Sequence, residues 1–262
     1  MNSVKPIYIV LKKELRSLFL SPLFYFITFL ATILMGITYA VSVWNFSQTL
    51  ANAMLTMLGG SPQQQNIHYV VFVPHLSLLN LIYIFVVPAL AMKLISEERK
   101  NRTFDLLLTS PINSAQIVIS KYLALFLVNL GLALVCLGYI FISAKMFKFD
   151  LTPSVLALTG IFLCGCTYAA MNLFASSLTD SALVAFFVGI VFNICIWLLG
   201  GMTELVDQPI LKALLDQISL NVHLQPLIEG VVKLNGIVFF LSIIFVFCFL
   251  TERVIESVRW RA

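Results

Sequence analysis

The chain has 262 residues, of which 60% are hydrophobic and 11% are charged, with a net charge of +4 and a mean hydropathy of +1.00. Soluble domains carry about 25% charged residues, so this composition excludes a water-soluble globular protein and predicts an integral membrane protein. No Asp, Glu, Lys or Arg occurs from Ser17 to Met92. A charge at the centre of a bilayer costs about 2.5–3.5 kcal/mol, which explains why so long a stretch carries none.

The first predicted element is an amphipathic helix within residues 1–21. Apolar side chains of residues 4–20 fall on one helical side and basic ones on the other, which is typical of a helix lying in the membrane interface. The alternative is a basic flank that only fixes the topology of the first span. The charged residues of this predicted interfacial helix are Lys12, Lys13, Glu14 and Arg16.

Six apolar stretches follow, each long enough to cross a bilayer or nearly so. About 20 helical residues span a hydrocarbon core of about 30 Å. The predicted spans are Pro22–Trp44, Pro74–Ile95, Tyr122–Ser143, Val155–Ser177, Ala182–Gly201 and Gly236–Leu250. The sequence therefore predicts one all-α transmembrane domain that covers residues 1–262.

The distribution of basic residues predicts the orientation of these spans. Lys and Arg concentrate before the first span, around the segment between the second and third, and after the sixth. Cytoplasmic segments carry this excess, so both termini of the multi-pass chain are expected in the cytoplasm. The outer segments keep only Lys145, Lys148, Lys212 and Lys233. Because the basic residues flank helices and form no soluble basic face, the net charge indicates contact with membrane lipids and not with nucleic acid.

Residues 96–121 form a dense charged segment between the second and third spans. A helix is predicted from Ser96 to Leu108, because Ser96 can act as its N-cap and two glutamates follow at its positive end. Pro111 is expected to end this helix.

The same predicted helix carries an apolar patch, since Phe104, Leu107 and Leu108 are spaced i, i+3 and i+4. A second helix is expected after Asn113, which can pair with Gln116 as a capping box. An ordinary charged connector would instead be a polar turn without a repeated apolar patch.

Residues 204–235, between the fifth and sixth spans, are too long for a simple hairpin and have patterned apolar residues. This pattern predicts two short helices that cap the outer end of the bundle. Their separation is expected near Asn221–Pro226.

Motifs for catalysis are absent from the sequence. It has no phosphate-binding loop, no G-x-S-x-G, no H-E-x-x-H and no pair of intramembrane carboxylates. The chain is therefore predicted to be no enzyme, with no catalytic residue, no metal site and no cofactor bound by the chain itself. A lipid-acting membrane enzyme that uses His68, His75 or His223 is an alternative without a supporting acid, base and nucleophile group.

Amides are the polar groups of interest inside the predicted spans. They are candidates for lining a pathway through the membrane, and the alternative is that they hydrogen-bond between helices. The candidates are Asn129, Asn172 and Asn193.

Several stretches resemble type 2 ABC-transporter permeases, and together they cover nearly the whole chain. The most specific is the run from residue 96, SEERKNRTFDLLLTSPINSAQIVISKYLA, with its acidic pair, basic residues, Leu-x-Ser-Pro and a Lys that opens the next span. The helix leading into the family's first span is similar to LKKELRSLFLSPLFY at 11–25, and its link between the fourth and fifth spans to LFASSLTDSALVAFFVG at 173–189. The outer segment of the gliding-motility and nitrous-oxide-reductase maturation permeases resembles ISLNVHLQPLIEGVVKL at 218–234.

Two positions depart from the family pattern. Arg102 stands where a Gly usually precedes Thr103, and Ser120 where a Gly commonly precedes Lys121. Both departures concern the geometry of the segment between the second and third spans.

The resemblance implies the permease subunit of an exporter-like ABC complex in the bacterial cytoplasmic (inner) membrane. Such a permease pairs with a second permease, as a homodimer or with a homologue, and with two copies of a cytosolic ABC ATPase. The ATPase would bind ATP and Mg²⁺ and supply the phosphate loop that this chain lacks. An alternative function is a membrane scaffold that transmits force to a periplasmic partner.

The resemblance further implies that residues 96–110 form a coupling helix inserted into a groove of the ATPase. The apolar patch would supply its anchors and the charged residues its polar rim. The residues assigned to coupling are Glu97, Glu98, Arg99, Lys100, Thr103, Phe104, Asp105, Leu107, Leu108 and Pro111.

Overall fold

A computed structural model describes residues 4–56, 66–104, 112–202 and 208–259 of the chain. These residues form α-helices, one π-helical turn and short connections, without a strand. The all-α fold class is confirmed for this part of the chain. The helices are α1 (Val4–Leu20), α2 (Pro22–Thr56), α3 (Val73–Ala91, preceded by a π-helical turn at His68–Phe72), α4 (Lys93–Lys100), α5 (Ser114–Met146), α6 (Leu151–Ser177), α7 (Ala182–Met202), α8 (Pro209–Ile218), α9 (Leu220–Ile228) and α10 (Leu234–Arg259).

Six helical segments of the described chain are long and apolar enough to cross a membrane, which confirms the six predicted spans. They are Pro22–Asn52, His68–Lys100, Ser114–Met146, Leu151–Ser177, Ala182–Met202 and Leu234–Arg259. Most extend past the predicted bounds, because hydropathy detects the hydrocarbon core whereas a helix continues until its backbone is interrupted. The 31 residues of the first segment, for example, reach about 45 Å at 1.5 Å per residue.

Helix α6 lies at the centre of the bundle and packs against α3, α5, α7, α9 and α10. Small side chains allow these neighbours to approach closely, and most residues of α6 are buried. Helices α2, α7 and α10 have mostly exposed apolar surfaces, as expected of helices that face lipid.

The two ends of the bundle differ in character. At one end, α1 packs on α5, α4 packs on α6, and the Arg259 guanidinium in the last turn of α10 donates to the Ile112 carbonyl at 3.4 Å. We call this the charged end, because it carries α1, α4 and the last turn of α10. The opposite end carries α8 and α9, so two short helices do cap one end of the bundle.

The predicted boundary between these two short helices is wrong. They separate at Ser219, not within Asn221–Pro226. The Ser219 hydroxyl accepts a hydrogen bond from the Val222 amide at 3.3 Å and so caps α9, while Pro226 lies inside that helix.

Gly230, at the turn between α9 and α10, has a backbone conformation that disfavours other residues. Its φ is +85°, and an added Cβ would lie 2.6 Å from Cβ and 2.9 Å from Cα of Pro153. We expect Gly230→Ala to reduce the free energy of unfolding by at least about 2 kcal/mol, since it adds left-handed strain to a contact with backbone. Denaturation of the purified protein in detergent measures this change.

Gly131 in the middle of α5 provides the matched control. A Cβ there meets no described atom within 4 Å. Gly131→Ala should leave stability unchanged or raise it by about 0.5–1 kcal/mol, as a glycine in a helix interior is less favourable than alanine. An equal loss in both variants would contradict the close contact assigned to Gly230.

Candidate functional site at the charged end

The main feature of the charged end is a buried lysine that pairs with two carboxylates. Lys121, near the start of α5, is 0% exposed. Its Nζ lies 2.8 Å from Glu14 Oε1 and 2.7 Å from Glu98 Oε2, and it also donates to the Leu94 carbonyl. The three ionised side chains come from α1, α4 and α5, so this lysine joins three helices that are distant in sequence.

Lys13 completes what we call the ion cluster, namely Lys13, Glu14, Glu98 and Lys121. Its ammonium donates to Glu98 and lies 3.6 Å from Glu14. Two positive and two negative charges therefore meet at one place and balance. This balance matters because a buried charge without a partner costs several kcal/mol.

The local structure of α1 explains why Glu14 is available to this cluster. Val10, Glu14 and Leu18 are spaced i, i+4 and i+8, and all three are buried. A carboxylate thus lies in the buried stripe of α1, where Lys121 meets it.

Burial disfavours the charged form of Lys13, but its hydrogen bond and ion pair with Glu98 outweigh burial and raise its pKa. Lys13 therefore remains protonated throughout the neutral range, and the charge balance of the ion cluster persists there.

A second set of contacts ties α4 to the connection between α6 and α7. Arg99 Nε lies 2.9 Å from Asp180 Oδ1, and the same guanidinium donates to the Ser177 carbonyl. The Ser176 hydroxyl accepts from the amides of Ile95 and Ser96 at 3.2 Å. Ser176 in the last turn of α6 thus contacts the first turn of α4 and holds the two helices together.

The prediction of a helix from Ser96 to Leu108 is wrong at its start and misses a turn at residues 101–102, after which helical backbone resumes at Thr103; its predicted end lies outside the described residues. Helix α4 begins at Lys93, and Ser96 lies inside it, where its hydroxyl donates to the Met92 carbonyl. The helix ends at Lys100, because Arg102 has a φ of 55°. This is the left-handed region that favours glycine, at the position where the resembling permeases usually have one.

The residues predicted for coupling do not all share one surface. Glu98 is in the ion cluster, Arg99 binds the α6–α7 connection, and Glu97, Lys100 and Thr103 lie at least partly exposed on or just after α4. Phe104 is only 2% exposed and belongs to the buried core, so its ring is not offered to a partner in this structure. Four further predicted residues lie outside the described residues: Asp105, Leu107, Leu108 and Pro111.

Two other predictions for the charged end are confirmed. The capping box of α5 is confirmed, with the Asn113 amide donating to Gln116 Oε1 at 3.2 Å. The amphipathic helix of residues 4–20 is confirmed as α1, with Lys12 and Arg16 exposed and its two other predicted residues in the ion cluster.

Sequence reasoning missed the role of Lys121 and its partners. One signal could have found Glu14, namely a carboxylate with apolar residues four positions before and after it. A buried acid of this kind needs a cation nearby, and Lys121 is a cation directly before the third predicted span.

The three intramembrane amides hydrogen-bond between helices. Asn129 on α5 donates to the Phe162 carbonyl on α6 at 3.0 Å, and Asn172 on α6 donates to Asn193 Oδ1 on α7 at 3.1 Å. Asn193 in turn donates to the Ile84 carbonyl on α3 at 3.1 Å. All three amides are buried and hydrogen-bond to a neighbouring helix in this structure, and their role in lining a pathway stays a prediction.

The three histidines lie apart from one another in separate contacts. His68 pairs with Ser154 at 3.1 Å and His75 with Thr38 at 2.9 Å, while His223 stacks on an aromatic ring. No group of three or more His, Cys, Asp and Glu side chains that could hold a metal ion occurs within the described residues.

Comparison with known protein families identifies a family for nearly the whole chain. A family model described as "ABC-2 family transporter protein" matches residues 8–258, which includes all four residues of the ion cluster. A search of curated proteins finds no match.

Proposed function

This chain belongs to the ABC-2 transporter family and is a transmembrane permease of an ABC transporter, and on that premise we propose that its charged end couples a cytosolic ATPase to the membrane spans. The observation that carries the proposal is the ion cluster, which joins α1, α4 and α5 through Lys121. The charged end would face the cytoplasm, as the excess of basic residues there favours. The membrane would be the bacterial inner membrane, with both termini in the cytoplasm.

Helix α4 is the element expected to receive the ATPase. One side of α4 is fixed to its own chain by Glu98 and Arg99, while Glu97 and Lys100 on its other side remain accessible. A short helix held on one side and charged on the other suits a polar docking surface. The anchor role expected of Phe104 is not supported, because its ring is buried.

The contacts of α4 suggest how its displacement would spread. Lys121 links it to the start of α5, Glu14 and Lys13 extend this link to α1, and Arg99 connects it to the α6–α7 connection. Helix α4 also follows α3 with only Met92 between them. A push on α4 would therefore move several spans together, since close ion pairs and a near-continuous helix transmit displacement.

The permease would work with two ATPase copies, which bind ATP and Mg²⁺, and with a second permease. Closure of the ATPases would then drive substrate export or periplasmic assembly. The resemblance to gliding-motility and nitrous-oxide-reductase maturation permeases favours a pathway of one of these two kinds.

A mechanical role toward a periplasmic partner is the second candidate. Helix α8, at the opposite end, has no buried residue and exposes Ile210, Leu214 and Ile218. An amphipathic helix with a free apolar side could bind a protein outside the membrane, so α8 is where a periplasmic partner would dock.

The docking surface can be tested by charge reversal on α4 and the turn after it. Lys100 and Arg102 are exposed and form no ion pair with another described residue. With the ATPase coexpressed, the double variant Lys100→Glu/Arg102→Glu should weaken co-purification at least about tenfold and abolish permease-dependent ATP hydrolysis. Like charges or lost pairs at a docking surface cost several kcal/mol, whereas exposed charges contribute little to folding.

Lys148 and Lys212 give the matched control, as both are exposed lysines outside the charged end. The variant Lys148→Glu/Lys212→Glu has the same net charge and should keep normal assembly and hydrolysis. If the variant at Lys100 and Arg102 assembles and hydrolyses ATP like the unmodified protein, the docking proposal is wrong.

A further inference from the structure

A cavity of about 430 Å³ opens at the charged end, next to the ion cluster. It lies between α1, the first turns of α2, the last turns of α3, and α4. Small-molecule sites have volumes of about 300–1,000 Å³, so this cavity is large enough for a headgroup and the adjoining part of an acyl chain.

The walls of the cavity divide into a polar and an apolar part. Ser17, Lys93 and Glu97 lie on the polar side, and Phe24, Ile27 and Leu90 form much of the apolar side. A ligand that fills it must therefore have a charged or polar group joined to hydrocarbon.

The charged side chains that line the cavity indicate which class of ligand it can bind. Lys13, Glu14 and Glu98 also line it, but the ion cluster already neutralises them. Lys93 and Glu97 remain, with side chains 39% and 46% exposed and a separation of 3.9 Å between Nζ and Oε2. Outside the ion cluster, the described lining of the cavity therefore offers one cation and one anion to a ligand.

The cavity also lies where the chain changes from charge-free to charged sequence, as expected at the boundary between hydrocarbon and headgroups. The charge-free stretch ends at Met92, and Lys93 and Glu97 follow immediately, whereas Ile27 and Leu90 belong to the apolar spans. A lipid of the adjoining leaflet would meet the polar wall with its headgroup and the apolar wall with its acyl chain.

We propose that this cavity binds one zwitterionic phospholipid with a primary ammonium, such as phosphatidylethanolamine. Lys93 binds its phosphate, Glu97 binds its ammonium, and one acyl chain runs along Phe24, Ile27 and Leu90. A choline headgroup has no N–H to donate to Glu97, and a glycerol headgroup has no positive charge for it. The site therefore prefers ethanolamine over choline and glycerol headgroups.

Lipid retention on the purified permease tests this preference. The protein is delipidated in mild detergent, mixed with phosphatidylethanolamine, phosphatidylcholine or phosphatidylglycerol of identical acyl chains, and examined by native mass spectrometry. We expect one phosphatidylethanolamine retained at least about tenfold more strongly than either other lipid, and a higher thermal midpoint with it alone.

Two charge variants separate the roles of the headgroup partners. Glu97→Gln should remove the preference for phosphatidylethanolamine over phosphatidylcholine, because only the ammonium partner is lost. Lys93→Gln should weaken retention of all three lipids, because each carries a phosphate. Equal retention of the three lipids by the unmodified protein, or stronger retention of phosphatidylglycerol, would overturn the proposal.

Filling the apolar wall gives an independent test. Ala89 lines the cavity, and Ala89→Trp should abolish retention of the single lipid without changing any charge. Leu183 on α7 is 66% exposed and does not line the cavity, so Leu183→Trp is the matched control that should keep retention. Unchanged retention in Ala89→Trp would place the lipid elsewhere and refute the site.

The experiment uses the permease without an ATPase, so its outcome does not depend on the proposed docking of α4. If Ala89→Trp does not fold, the two charge variants still decide the question. Failure of the lipid preference and failure of ATPase coupling are thus separate results.

Discussion

Replacing Lys121 with methionine is expected to reduce the free energy of unfolding by about 3–5 kcal/mol, the usual cost of removing one partner from a buried ion pair. The change leaves Glu14, which is buried, and Glu98, which is mostly buried, with only Lys13 as a cation, and Lys13 already contacts both. Methionine fills much of the space of the lysine stem, so the loss comes from charge and not from a cavity. Thermal and denaturant unfolding of the purified permease measure the effect.

A triple variant separates the effect of an unpaired carboxylate from the effect of shape. The triple variant Lys121→Met/Glu14→Gln/Glu98→Gln removes three charges of the ion cluster and leaves one positive charge on Lys13, whose side chain is 52% exposed and can be solvated. Replacing a whole buried ion group is often neutral for stability, so this variant should recover most of the loss. A Lys121→Met protein within about 1 kcal/mol of the unmodified one would show that Lys121 is not the buried centre of a charge cluster.

The triple variant also tests whether the ion cluster takes part in coupling to ATP hydrolysis. If the ion cluster transmits displacement from α4 to α1 and α5, the triple variant should fold yet lose most permease-dependent ATP hydrolysis. Two neutral amides and a methionine cannot form ion pairs, so they would hold the three helices together less strongly. Full hydrolysis in the stable triple variant would limit the ion cluster to a structural role.

The spans of this protein were predictable from sequence, whereas the contacts at the charged end were not. Lipid exposure imposes apolar side chains over every crossing segment, so hydropathy alone finds all six spans. Their ends are less predictable, since α2 continues past Trp44 to Thr56 through residues compatible with a helix.

The ion cluster depends on packing between distant parts of the chain. Lys13 and Glu98 are 85 residues apart, and Glu14 and Lys121 are 107 apart. Helical periodicity indicates that Glu14 shares a side with Val10 and Leu18, but it does not say which helix covers that side. The partners of Glu14 therefore required the structure.

The end of α4 shows a different reason for failure. Charges and helix-forming residues continue past Lys100, so local propensity favours a longer helix. Arg102 instead adopts a left-handed conformation that arginine rarely takes, at a cost of about 1–2 kcal/mol. The family resemblance did indicate a left-handed residue here, because a glycine is usual at this position.

Substitution of Phe104 tests whether the segment after α4 belongs to the fold of the permease or to an interface with the ATPase. Its ring is 2% exposed, so Phe104→Ala is expected to reduce the free energy of unfolding by about 3–5 kcal/mol in the permease alone. An anchor that inserts into an ATPase would behave oppositely: its removal would leave the isolated permease unchanged and weaken only the complex. Unfolding without ATPase therefore distinguishes the two roles.

Phe245 on α10 provides the matched deletion of an aromatic ring, because it is 72% exposed. Phe245→Ala should change the unfolding free energy by less than about 0.5 kcal/mol, as exposed positions usually do. A Phe104→Ala permease that unfolds like the Phe245→Ala control, yet fails to bind its ATPase, would restore the anchor role. The expected loss of stability in Phe104→Ala, with no loss in Phe245→Ala, means instead that this ring belongs to the fold of the permease.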